Sequence, residues 1–196
     1  MKRIVTRAAL VCALMGAMMV GSAQGATYRY KGNGDYMVAT NWDGGILPGA
    51  ADTARFNWGS NTVTLDAIAP DIDRFQMGVD ESGGLIVNSN GALTSLGTSK
   101  VGNNNNCTGF LTINEGGSVV AGGGWMMVAG STSVKGILTL NGGSLDVNGH
   151  LWAATGAGSE ATIDINSGTL SVGAMLGLGT IDAVNPSGAD ATLSID

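Results

Sequence analysis

One short pattern returns along this chain at nearly fixed intervals, and it limits the fold more than any other feature. It reads Leu85-Ile86-Val87-Asn88, Leu111-Thr112-Ile113-Asn114, Leu138-Thr139-Leu140-Asn141 and Ile163-Asp164-Ile165-Asn166, and begins again at Leu193-Ser194-Ile195-Asp196. The starts at 85, 111, 138, 163 and 193 lie 26, 27, 25 and 30 residues apart. After each of the first four comes a turn rich in Gly, Ser or Asn and a second alternating run, as in Gly142-Gly143-Ser144-Leu145. A third run ends in Gly: Lys100-Val101-Gly102, Val128-Ala129-Gly130, Ala154-Thr155-Gly156 and Leu176-Gly177-Leu178-Gly179. Thr62-Val63-Thr64-Leu65 and Phe75-Gln76-Met77-Gly78 form a worn earlier copy.

Repetition at fixed phase is the mark of a solenoid, in which no unit can bury its apolar side alone. Three short strands per unit of about 25 residues predict an all-β, right-handed parallel β-helix (β-solenoid) with one coil per unit. Period-two alternation would send Leu and Ile inward and Thr, Asp or Ser outward. Glycine would supply the positive φ where the chain turns between faces. An antiparallel sandwich also uses short strands and turns, but it does not require a fixed phase. Composition agrees with short strands and many turns: 33 of 196 residues are Gly, and only 12% are charged. Hydrophobic content of 44% argues against disorder.

The first 25 residues read as a signal peptide. Lys2, Arg3 and Arg7 precede an uncharged run from Ala8 to Val20, and Ala23-Gln24-Gly25 offers a small-residue cleavage site. That run is too short to span a bilayer, and no later run reaches the roughly 20 residues needed, so no transmembrane segment is expected in the mature chain. Three of nine Lys and Arg leave with the leader, so six face 15 Asp and Glu, a net charge of −9. Such an acidic chain is a poor nucleic-acid binder. Residues 26–61 hold Tyr28, Tyr30, Tyr36, Trp42 and Trp58 and read as an aromatic cap, with the β-helix repeats over 62–196. Cys107 is left without a partner cysteine, so no intrachain disulfide is expected.

The G-x-L-x-I-N-x-G-G-x-L-x-V unit resembles the glycine-rich β-helix repeats of large exported bacterial proteins, autotransporter passenger-like and PEP-CTERM-sorted surface proteins among them. Asn41-Trp42-Asp43-Gly44-Gly45-Ile46-Leu47-Pro48-Gly49, with Asp52-Thr53-Ala54-Arg55-Phe56, is similar to an opening that often precedes those repeats. The resemblance implies a secreted or surface-displayed scaffold and carries over no catalytic residue. It departs from the pattern at the C-terminus, where no sorting helix or translocator barrel follows, and the mid-unit stop suggests a fragment of a longer, truncated protein.

Candidate chemistry is sparse. Asn88, Asn114, Asn141 and Asn166 share one phase and read as an internal Asn ladder of stacked amides rather than a polysaccharide grip. Trp125 and Trp152 fall near one strand of adjacent coils; exposed and coplanar they would stack on sugar rings, whereas buried they would pack beside Met126, Met127 and Leu151. Gly124-Trp125-Met126-Met127-Val128 has no clean period to choose between the two. Glycoside hydrolysis needs paired carboxyls, whereas Asp146, Asp164 and Glu115 stand in different phases, as do Lys100 and Lys135. His150, the only histidine, reads as a turn residue, and Cys107 as a packed or loop thiol. No catalytic residue and no metal site are assigned. No cofactor is expected, calcium alone being left open through Asp71, Asp73, Asp80 and Glu81. The expectation is a non-enzymatic structural or adhesive scaffold at the cell surface. The alternatives are a carbohydrate-binding module whose partner is extracellular polysaccharide, or a polysaccharide-degrading β-helix.

Overall fold

The computed structural model describes residues 25–57, 61–104, 106–179 and 188–196. Its strands along the chain are β1 (Thr27–Arg29), β2 (Gly34–Asp35), β3 (Thr53–Phe56), β4 (Asn61–Leu65), β5 (Arg74–Met77) and β6 (Gly83–Val87). Next come β7 (Ala92–Ser95), β8 (Ser99–Val101), β9 (Thr108–Asn114), β10 (Ser118–Ala121) and β11 (Trp125–Val128). β12 (Lys135–Val147), β13 (His150–Ala153), β14 (Glu160–Val172), β15 (Leu176–Leu178) and β16 (Asp190–Ile195) complete them.

Every pairing between these strands is parallel and joins one coil to the next, which makes a β-solenoid of about 6 turns. The first sheet runs β1-β3-β5-β8-β11-β13-β15, and the second runs β2-β4-β6-β9-β12-β14-β16. The third side is built by β7, β10 and the C-terminal halves of β12 and β14, which continue around the corner without a break. The sequence repeat is the structural register: Val63, Leu85, Leu111, Leu138, Ile163 and Leu193 form one column of partners. Leu65, Val87, Ile113, Leu140, Ile165 and Ile195 form the next inward column. Leu93, Val119, Leu145 and Leu170 repeat this on the third side. Alternation therefore fills one continuous core, and most of these side chains lose all contact with water.

The two glycines of the Asn-Gly-Gly corner do different jobs. Gly142 takes a φ of 95°, a conformation that costs an L side chain about 1 kcal/mol or more. Gly143 is needed for space: a Cβ there would collide with the Ile113 side chain and lie 2.6 Å from the Asn114 carbonyl oxygen. At the other corner the glycine expectation fails in two coils. Positive φ falls on Gly78 and Gly102 but then on Ala129 and Ala154, one and two residues before the glycines that end those runs. Both alanines are fully buried, and burying a methyl group, about 0.8 kcal/mol, offsets much of the backbone cost.

Stacking begins well ahead of residue 62. β1 and β3 already pair in the first sheet, and β2 with β4 in the second. Over this end Tyr30, Tyr36, Trp42 and Phe56 are fully buried and meet as rings, mostly edge to face. Tyr28 packs against the cluster, whereas Trp58 lies outside the described residues, as do residues 1–24 of the stretch read as a signal peptide. The Tyr36 hydroxyl is shut away with no hydrogen-bond partner among the described residues, and burial pushes its phenol far above the ordinary range. Stability from keeping this group neutral is complete below the ordinary phenol pKa and falls as pH rises above it, because the unfolded chain then ionises freely. Tyr36→Phe is expected to raise stability by about 1 kcal/mol, by removing an unsatisfied buried polar group, and to flatten the alkaline limb. Urea unfolding at neutral and alkaline pH checks both; a destabilised variant would show that the hydroxyl has a partner.

Candidate functional site

The outer side of the first sheet gathers side chains that the sequence keeps far apart. Counting inward columns fixes its phase. Phe56, Met77, Val101, Val128 and Ala153 point into the core, so the residue before each points out. Arg29, Arg55, Gln76, Lys100, Met127 and Trp152 are thus partners in one straight outward column. A parallel column carries Thr27, Thr53 and Arg74, and further along Trp125 and His150. Met126 and Leu151, which form the column between those of the two tryptophans, are fully buried.

Trp125 and Trp152 therefore both stand on the solvent side rather than in the core, Trp125 being 46% exposed and Trp152 half-buried. They are not coplanar: their ring centroids lie 6.5 Å apart at 64°. The near-parallel pair is His150 with Trp152, 5.7 Å apart at 17°, with Trp125 edge-on to His150 at 6.1 Å. His150 opens β13 instead of occupying a turn, and that placement creates the cluster. The Trp152 ring lies over Gly177 of the next coil, where any Cβ would strike it. Trp152 Nε1 and His150 Nδ1 are both shielded and without partners among the described residues.

Charge is sorted by side. The strands of the first sheet contain Arg29, Arg55, Arg74 and Lys100 and no acidic residue, although the sequence after residue 25 has only six Lys and Arg against 15 Asp and Glu. Arg74 Nε donates to Asp73 at 2.6 Å, and Arg29 lies 3.6 Å from Asp80, both carboxylates sitting beside the strands. Arg55 donates to the Gln76 side-chain oxygen at 3.0 Å. Among the described residues no carboxylate lies within ion-pair distance of Arg55 or Lys100. Burial, and then the neighbouring Arg74 charge, hold the Lys100 ammonium below its ordinary range.

The four asparagines are bonded in series on a different corner. Asn114 Nδ2 donates to Asn88 Oδ1 at 2.7 Å, Asn141 to Asn114 at 3.2 Å and Asn166 to Asn141 at 2.8 Å. The ladder is external, not internal: Asn88 and Asn114 are half-buried, and Asn141 and Asn166 exposed. They follow inward Val87, Ile113 and Leu140, so alternation places them outside. Asn114→Ala removes two of these bonds at once, and with partial exposure it is expected to cost about 1 kcal/mol. Urea unfolding measures it; no loss would mean that water replaces the ladder at no cost.

The remaining candidates are scattered. Asp146 is exposed on the third side and Asp164 is on the second sheet, while Glu115 occupies a turn. Lys135 pairs with Glu160 at 2.7 Å. Cys107 is buried, its Sγ 3.9 Å from the Val79 carbonyl, and burial followed by the Asp80 and Glu81 charges pushes its thiol up, away from nucleophile character. Asp73 and Asp80 face guanidinium groups, which opposes a cation at either, and among the described residues no three His, Cys, Asp or Glu side chains converge. No described helix is long and apolar enough to cross a membrane. Arg55, Arg74 and His150 are functional candidates missed from sequence. The signal was the run before each corner, read one residue earlier: Arg55-Phe56, Gln76-Met77, Lys100-Val101, Met127-Val128, Trp152-Ala153.

No protein-family model, no curated protein and no solved structure matches this chain.

Proposed function

We propose that this chain is an exported β-solenoid that works at the cell surface by contact, as a structural or adhesive scaffold without catalysis of its own. The observation that carries this reading is the coil-on-coil stacking of parallel strands between Thr27 and Ile195, with register slipping only at the Asn141 corner, which makes a rod with flat sides. The signal-peptide pattern and the resemblance to exported repeat proteins support the address. Two measurements test it: N-terminal sequencing of the protein recovered outside the cytoplasm, and attachment of cells lacking the gene. A start at Ala26 on the exported form, with reduced attachment or altered surface layering, is expected. An intact Met1 retained in the cytoplasm overturns it.

Carbohydrate binding is the second reading, favoured by the outward Trp125, His150 and Trp152. Aromatic rings that are apolar yet carry a polar edge suit a surface that must stay wet while it grips.

A further inference from the structure

We infer that the outer side of the first sheet binds an anionic polysaccharide of the polyuronate class, laid along the rod axis. The inference rests on the surface-contact reading and adds the ligand and its direction.

Three observations converge on this occupant. The cations are segregated: four of the six Lys and Arg after residue 25 project from a sheet whose strands hold no carboxylate, in a chain that is otherwise acidic. Arg55 and Lys100, two rungs apart with Gln76 between, have no carboxylate partner among the described residues. Guanidinium and ammonium groups so placed take carboxylates through charge-assisted hydrogen bonds, with Gln76 able to serve a hydroxyl. The same column then changes character, to Met127 and Trp152, with Trp125 and His150 alongside. A pyranose ring carries hydroxyls at its rim and C–H bonds on its faces, and those faces suit exposed aromatic and thioether surface.

Spacing sets the direction. Rungs lie about 4.8 Å apart, so Arg55 to Trp152 spans four steps, roughly 19 Å along the axis. Across the strands only two outward positions per rung are available. A chain with an acidic group on each ring meets the cations and the aromatics in turn only if it runs parallel to the axis. Single-stranded nucleic acid also combines anions with stackable rings. Its bases would need successive outward rings to stack on, however, whereas here Trp125 and Trp152 stand at 64° to each other on two neighbouring strands, which favours the saccharide.

The test is the electrophoretic mobility of the full chain in gels containing polygalacturonate, a neutral cellulose derivative, or single-stranded DNA, at low and high salt. The full chain is expected to be retarded by polygalacturonate, less so at high salt, and far less by the neutral polymer. Arg55→Gln with Lys100→Gln should weaken polygalacturonate binding roughly tenfold, an effect of two partly exposed charges acting together. Lys100→Arg should retain binding, and Trp125→Ala should weaken it. All three positions point outward, so unchanged melting temperatures separate lost binding from lost fold. Binding that ignores both the double variant and Trp125→Ala overturns the inference, as does DNA binding of equal strength. Retardation by the neutral polymer alone, dependent on Trp125, overturns it while leaving the surface-contact reading intact. Absence of binding to every polymer also overturns it, and attachment of cells lacking the gene then decides the broader reading separately.

Discussion

Trp42→Ala is expected to cost about 4 kcal/mol and to loosen the first coils while the middle of the rod stays ordered. The indole is fully buried, with ring centroids of Tyr36, Tyr30 and Phe56 at 5.0, 5.1 and 5.6 Å, and its Nε1 donates to the Tyr36 carbonyl at 2.8 Å. Truncation removes those ring contacts, leaves a cavity, and orphans a buried carbonyl. The Tyr30–Trp42 backbone bridge would lose the packing that holds it. Because each coil touches only its neighbours, the damage should decay along the axis. Amide hydrogen exchange would show it as lost protection in 27–65 and retained protection in 108–165. A loss below about 1 kcal/mol would mean that the cluster is dispensable.

Gly136→Val should be comparably severe for a different reason. A Cβ on Gly136 would run into the Ala129 nitrogen and sit 2.5 Å from the Val101 carbonyl oxygen. Those two atoms are donor and acceptor of one inter-coil hydrogen bond of 2.7 Å, so the new side chain would land on the bond itself. A branched side chain must push β12 away from the corner of the first sheet, at an expected cost of about 3 kcal/mol or more. Ala161 occupies the same column one coil on and is well buried, so the site can open enough for a methyl group there. Gly136→Ala should therefore fall between wild type and valine. Denaturant midpoints for the two variants give the order, and equal stability of valine and wild type would show that the corner is not close-packed.

How much was legible follows from which residues carry the register. The starts at 85, 111, 138, 163 and 193 could be counted from sequence because the inward Leu and Ile columns are also the ladder partners. The amide series was readable for the same reason, since each Asn follows its inward neighbour by one step; its exposure required that step to be taken literally. The first sheet was hard to read. Its strands are short, and in Trp125-Met126-Met127-Val128 both alternating sets are apolar, so polarity says nothing about sidedness. Only the partner columns, Met127 beside Lys100 on one side and Trp152 on the other, settle which way that strand faces. Arg55 falls in the stretch read as a cap, and Arg74 stands one residue before the worn copy Phe75-Gln76-Met77-Gly78, so no repeat gave either a phase. Ala129 and Ala154 escaped because a buried methyl group can stand in for glycine at a left-handed corner.

The sorting of charge also gives the rod an electric moment perpendicular to its long axis. One long side carries Arg55 and Lys100, while Asp146, Asp164 and Asp190 lie on the other two. Far from an anionic wall the net charge repels the molecule whatever its orientation. Within a screening length of about 8 Å only the nearest side is felt, and half a revolution about the long axis exchanges attraction for repulsion. Against such a wall a cylinder of this kind would turn about its axis until the Arg55 and Lys100 stripe faced it.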